Sequence, residues 1–159
     1  MHNRGSMPGP TQYQSIMDAL DVRAHSYGMK SQHGGAAVER LLIAVVDDDE
    51  SVRESLPDLI REFGFAVHAF SSAEEFLASD LLGRTRCLIL DIAMPGMSGL
   101  ELQRELRLRA QQIPIIFITA QKDDAMRKHA LDEGAVTLLL KPFSDTALLE
   151  ALNSAVRVN

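Results

Sequence analysis

From Leu41 onward, apolar and polar residues follow two alternating rhythms, and each change of rhythm marks a new element. "RLLIAVV" is a continuous β-type run. "DDDESVRESLPDLIREFG" follows, with Val52, Leu56, Leu59, Ile60 and Phe63 on one helical face and Gly64 as a C-terminal stop. Pro57 sits inside that helix, where it costs about 3 kcal/mol unless a kink absorbs it. "FAVHAF" reads as a second strand. "SSAEEFLAS" opens a helix with Ser72 and Glu75 at capping-box spacing. "CLIL", "PIIFIT" and "AVTLLL" are the third, fourth and fifth strands. "GLELQRELRLRA", "DDAMRKHALDEG" (closed by Gly134) and "SDTALLEALNSAVRV" are the intervening and final helices. Five strands alternating with five helices predict a parallel sheet covered on both faces, and the unbroken apolar strands agree with burial from both sides.

Residues 1–38 lack a sustained apolar pattern and scatter Gly, Pro, Ser, Gln and His. Tyr13, Ile16, Met17 and Leu20 stand at helical spacing, which allows a short amphipathic helix, but the preferred reading is a flexible extension or a segment foreign to the native chain. The globular domain is expected over 39–159. With 159 residues, the chain has room for one well-packed domain. Its apolar runs fall far short of the roughly 20 residues that cross a bilayer, and the N-terminus lacks the order of a secretory signal. Cys87 is the only cysteine, and its place in a strand suggests an inert core thiol. The cytoplasm is the expected compartment. A net charge of −6 argues against direct nucleic-acid binding.

Four of the predicted strands end in polar residues that their interiors lack. The first runs into Asp47, Asp48 and Asp49, the third into Asp91, the fourth into Thr119, and the fifth into Lys141-Pro142. In a parallel sheet these ends share one edge, the edge at which open α/β sheets bind ligands. An isolated aspartate there would be a turn or helix cap, as Asp49 is expected to be. Several carboxylates with a hydroxyl and an ammonium form a chemical set. Clustered carboxylates repel and call for a cation, and an all-oxygen set without His or Cys favours Mg²⁺ or Mn²⁺ over zinc. His25, His33, His68 and His129 have no partners at ligand spacing. A metal, a lysine and a hydroxyl suit a phosphoryl group, and a carboxylate can itself attack phosphorus. The chain has no glycine-rich phosphate loop, which argues against an ATP-binding phosphotransferase.

"VVDDDESVRESL", "LILDIAMPGMSGLEL", "FITA" and "LLLKPF" together resemble the receiver domain of bacterial two-component response regulators, in the flavour of nitrogen-fixation-type transcription activators. The resemblance implies a flavodoxin-like doubly wound (βα)₅ fold with strand order 2-1-3-4-5. It implies that Asp91 is the phosphoacceptor, and that Asp47, Asp48, Asp91 and the Ala93 backbone carbonyl surround Mg²⁺, with Asp48 the direct ligand and Asp47 acting through water. Thr119 matches the hydroxyl that moves onto the phosphoryl group, and Lys141 the ammonium that pairs with it. Lys141-Pro142 matches a cis peptide. Ala93 and Gln121 occupy the positions flanking the path of hydrolytic water. Leu138 departs from the family, which carries Tyr or Phe there as a switch residue.

The implied partners are a sensor histidine kinase or phosphotransfer protein, an unidentified output partner, and a phosphorylation-dependent second copy, with neither nucleic acid nor membrane. No helix-turn-helix follows before Asn159, so output is expected from a surface of the domain, with the face of the fourth helix, fifth strand and fifth helix the candidate. The expected function is a phosphorylation-dependent switch. It is not an enzyme in the usual sense, but it catalyses its own phosphorylation and slow dephosphorylation. The alternatives are a constitutive adaptor, or the regulatory half of a transcription factor.

Overall fold

A computed structural model describes residues 39–157. The expectations for residues 1–38, including the helix through Tyr13 and Leu20, lie outside the described residues. In chain order the elements are β1 (Leu42–Val46), α1 (Glu50–Glu62), β2 (Ala66–Phe70), α2 (Ala73–Leu77), a single 3₁₀ turn (Leu82–Arg84), β3 (Thr85–Asp91), α3 (Gly99–Leu108), β4 (Ile115–Thr119), α4 (Asp124–Asp132), β5 (Thr137–Leu140) and α5 (Asp145–Arg157). The strands form one parallel sheet in the order β2-β1-β3-β4-β5.

Successive strand residues point to opposite faces, so each strand feeds two cores. On one face, Ile43, Val45, Cys87, Ile89, Ile116 and Ile118 pack against Leu56 and Ile60 of α1 and Leu148, Leu152 and Ala155 of α5. On the other, Ala44, Val46, Leu88, Leu90 and Phe117 meet Phe76 of α2, Leu102 and Leu106 of α3, and Ala130 of α4. The interiors of the central strands, Cys87–Leu90 in β3 and Ile115–Ile118 in β4, are apolar throughout because water reaches neither face.

Local chemistry follows the sequence with two adjustments. Asp49 caps α1 by accepting from the Ser51 amide at 2.9 Å. Pro57 does not end that helix: α1 continues to Glu62, losing only the hydrogen bond that a residue-57 amide would give the Arg53 carbonyl, and the Pro57 ring is buried. At α2, Ser72 Oγ accepts from the Glu75 amide at 3.0 Å, but the returning arm shifts by one residue. The Glu75 carboxylate takes the Ser71 amide (2.7 Å) and hydroxyl (2.9 Å) instead of the Ser72 amide. The complete reciprocal box lies at α3, between Ser98 and Glu101.

Gly99, the first residue of α3, has the most direct bearing on the strand edge. A Cβ there would collide with the Asp91 carbonyl oxygen and stand 2.9 Å from Ile92 Cα. Its amide donates to the Ile92 carbonyl at 2.9 Å, so α3 starts in direct contact with the end of β3. Backbone cannot move aside as a side-chain tip can, and overpacking of this kind costs about 1–3 kcal/mol. Gly99→Ala is therefore expected to lower the melting temperature by roughly 5–15 °C, as read by circular dichroism. A wild-type melting temperature would show that the close approach is dispensable.

Candidate functional site

The carboxyl ends of β1, β3, β4 and β5 bring the predicted residues to one edge. Asp47 follows β1 and is wholly buried, Asp91 ends β3 at 6% exposure, and Thr119 ends β4 at 2%. Asp48 is exposed. Ligand-capable oxygens of Asp47, Asp48 and Asp91 all lie within 4.8 Å of one another, the one such acidic group among the described residues. Lys141, just past β5, places Nζ 2.9 Å from Asp47 Oδ2 and 3.6 Å from Asp91 Oδ1.

Backbone bonds fix the frame. The Lys141 amide donates to the Thr119 carbonyl at 2.8 Å, and the Ile92 amide to the Ile118 carbonyl at 3.2 Å. The Gln121 amide donates to Thr119 Oγ1 at 3.1 Å, leaving the hydroxyl proton available to another acceptor. Asp47 Oδ1 accepts from the Asp49 amide at 2.9 Å. Ala93 is exposed in the loop after Asp91, Gln121 is exposed after Thr119, and the Lys141-Pro142 peptide is cis. Leu138 is buried in the second core, opposite Phe117 across the β4–β5 ladder.

The charges are unbalanced. Burial raises the Asp91 carboxyl to about 6, and the Asp47 charge pushes the same way, against the Lys141 ammonium. Burial would lower the Lys141 ammonium, but its hydrogen bond to Asp47 and the charges of Asp47 and Asp91 prevail and raise it. Three carboxylates thus share one lysine, and the lysine's shorter contact is to Asp47. The donor set is all oxygen and one member faces solvent, so the residues fit a hard divalent cation.

The sequence profile described as "Response regulator receiver domain" matches residues 43–153. This chain belongs to that family. Nodulation protein W of Bradyrhizobium diazoefficiens is 46% identical over 119 residues, covering 75% of this chain and 52% of that protein. Response regulator protein TodT of Pseudomonas putida is 44% identical over 117 residues, covering 74% of this chain and 52% of that one. Among solved structures, the crystal structure of FixJ-N has a TM-score of 0.68 at 40% identity, over 75% of this chain and 95% of that one. The chain spans about half the length of the curated relatives it matches. Receiver domains pair with sensor histidine kinases.

In this receiver the described histidines stand apart from the acidic cluster. His68 is exposed on β2, its ring 4.7 Å from that of Phe70, and His129 is exposed on α4. His25 and His33 lie outside the described residues. Burial pushes the Cys87 thiol up to about 12, so it stays protonated and inert. Among the described residues no helix is long and apolar enough to cross a membrane. One contact at the site escaped the sequence reading. Arg53 Nη1 donates to the Asp47 carbonyl at 2.9 Å, pinning the β1–α1 turn from the second turn of α1. Its position six residues beyond Asp47 was the available signal.

The raised Asp91 carboxyl carries a pH signature. Between pH ~4 and ~6 the folded protein holds a proton that the unfolded chain has released, so stability falls as pH rises through this window and the penalty is complete at pH 7. Asp91→Asn removes the penalty. In chelator at pH 7 it is expected to stabilise the receiver by about 1–2 kcal/mol, after allowance for solvent screening at the open rim. The gain should shrink toward zero near pH 4. Denaturant unfolding at both pH values measures it, and a variant less stable than wild type at pH 7 would contradict the charge crowding.

Proposed function

We propose that this receiver is a phosphorylation-dependent switch in which Asp91 accepts a phosphoryl group from the phosphohistidine of a sensor kinase or phosphotransfer protein. The observation that carries this reading is the convergence of Asp47, Asp48 and Asp91 beside the Lys141 ammonium at one sheet edge. An Asp91 carboxylate oxygen forms a bond to phosphorus as the bond to the donor nitrogen breaks, and the imidazole leaves with the electron pair. Asp48, Asp91 and the Ala93 carbonyl would hold Mg²⁺ (or Mn²⁺) directly, with Asp47 acting through water. When bound, the ion neutralises charge on the carboxylates and on the transferring phosphoryl oxygens.

The residues of this chain do the rest. Lys141 exchanges its bond to Asp47 for one to the phosphoryl group, and the Thr119 hydroxyl turns to donate to another phosphoryl oxygen. Both residues sit where β4 and β5 pair, through the bond from the Lys141 amide to the Thr119 carbonyl. Their rearrangement therefore acts on the face of α4, β5 and α5, where Leu140 is 41% exposed. That face is where an output partner or a second copy would bind. Leu138 is already packed in the core, so the change of state moves backbone and neighbouring helix without an aromatic ring swinging inward. The cytoplasm is the compartment this reading requires.

The acyl phosphate should be long-lived. Ala93 offers no side-chain group to orient an attacking water, and Gln121 can bond a water without accepting its proton. After labelling by acetyl phosphate and removal of the donor, decay followed by phosphate-affinity electrophoresis is expected to have a half-life of minutes or longer. Ala93→Asn supplies a water-orienting amide and should shorten it several-fold. A wild-type half-life of seconds, or slower decay in Ala93→Asn, would overturn this part of the account.

A further inference from the structure

The loop from Ile92 to Ser98 joins β3 to α3 directly behind the carboxylate of Asp91, and its backbone is held at the two ends. The Ile92 amide bonds the Ile118 carbonyl, the Gly99 amide bonds the Ile92 carbonyl at 2.9 Å, and Ser98 sits in the capping box with Glu101. Between those ends, one tether reaches the loop from another element. The Met97 amide donates to Glu74 Oε2 at 3.0 Å, across 23 residues of sequence. Glu74 lies in the first turn of α2, whose other acid, Glu75, is committed to its own turn through Ser71.

The loop is shaped for this contact. Gly96 has φ +74°, a conformation that turns the chain just before the donating amide, and a Cβ there would stand 2.9 Å from Glu74 Oε2. A residue with a side chain would therefore meet backbone strain and the carboxylate together. Met94 and the partly buried Met97 anchor their side chains in the core beneath, so the side chains hold the loop from below and Glu74 holds its backbone from the side.

We infer that Glu74 is a positioning residue for the phosphoryl-transfer site: its carboxylate latches the β3–α3 loop through the Met97 amide and holds Ala93 in register with Asp91. Glu74 touches neither the phosphoacceptor nor its partners, so it acts through the loop. The effect on transfer rests on the phosphoswitch reading above, whereas the latch itself does not. Glu74→Ala removes the acceptor. Glu74→Gln keeps an oxygen acceptor while discarding the charge, and so separates a hydrogen-bond latch from an electrostatic influence on the acidic cluster.

Three measurements on the full chain decide it. Amide exchange of Met97, read by NMR in chelator, should accelerate about three- to tenfold in Glu74→Ala, the worth of one solvent-exposed hydrogen bond, and stay near wild type in Glu74→Gln. The Mg²⁺ dissociation constant by calorimetry, and the rate of Asp91 labelling by acetyl phosphate, should worsen by a similar factor in Glu74→Ala and recover in Glu74→Gln. Unchanged Met97 exchange in Glu74→Ala overturns the latch. Faster exchange with unchanged Mg²⁺ affinity and labelling overturns its positioning role. Equal loss in both variants assigns the effect to charge and also overturns it. A wild-type protein that is never labelled at Asp91 would sink the phosphoswitch reading and the positioning role together, while Met97 exchange would still decide whether the latch exists.

Discussion

Three carboxylates and one ammonium meet where the parallel sheet ends, and this unbalanced charge governs the rest of the molecule. Carboxylates at such separations repel one another unless a cation or a proton intervenes. Lys141 meets part of the demand, with its shorter contact to wholly buried Asp47. Asp91 is left short of positive charge, and its carboxyl is displaced upward to about 6, first by burial and then by Asp47. A site in this condition is poised to take up a divalent ion. In the proposed switch, a phosphoryl group on Asp91 would raise the demand for positive charge again, and Lys141, 3.6 Å from the Asp91 carboxylate, would be within reach to answer it.

The fold makes such crowding tolerable. Strand interiors are sealed on both faces by the apolar sides of the helices, so the cost of keeping charges together is concentrated at the edge, where polar backbone and solvent are near. The loops that carry the acids are pinned individually. Arg53 holds the Asp47 carbonyl, the Asp49 amide holds the Asp47 carboxylate, and Gly99 lets α3 start against the Asp91 carbonyl. A preorganised edge loses little on receiving its ligand, and in the proposed switch such a frame would convert a small local change into movement of the β4–β5 region.

Much of this was legible in the sequence because its signals are local. Continuous apolar strands ending in Asp47, Asp91, Thr119 and Lys141 give both the layers and the edge, and four ordered motifs carry the family. Strand order was not readable from periodicity and came with the resemblance. Other features depend on contacts between elements, and no spacing encodes them. Nothing in the sequence tells Lys141 to sit nearer Asp47 than Asp91, since the pair is 94 residues apart. Glu75 reaches Ser71 or Ser72 with the same side chain, and packing settles the choice. Pro57 carries a cost that an isolated helix would feel, yet α1 is clamped to the sheet by Leu56 and Ile60 and runs on.

The strand-edge carboxylates crowd one another in the folded chain, and a divalent cation would relieve their repulsion. The most direct test compares melting curves of the full chain in chelator and in millimolar Mg²⁺, for wild type and for Asp48→Asn. An ion that binds the folded chain alone stabilises it by mass action, so the wild-type transition should move up by several degrees and saturate with Mg²⁺ concentration, while the Asp48→Asn transition should not move. Coincident wild-type curves with and without Mg²⁺, or an equal shift in Asp48→Asn, would contradict the account.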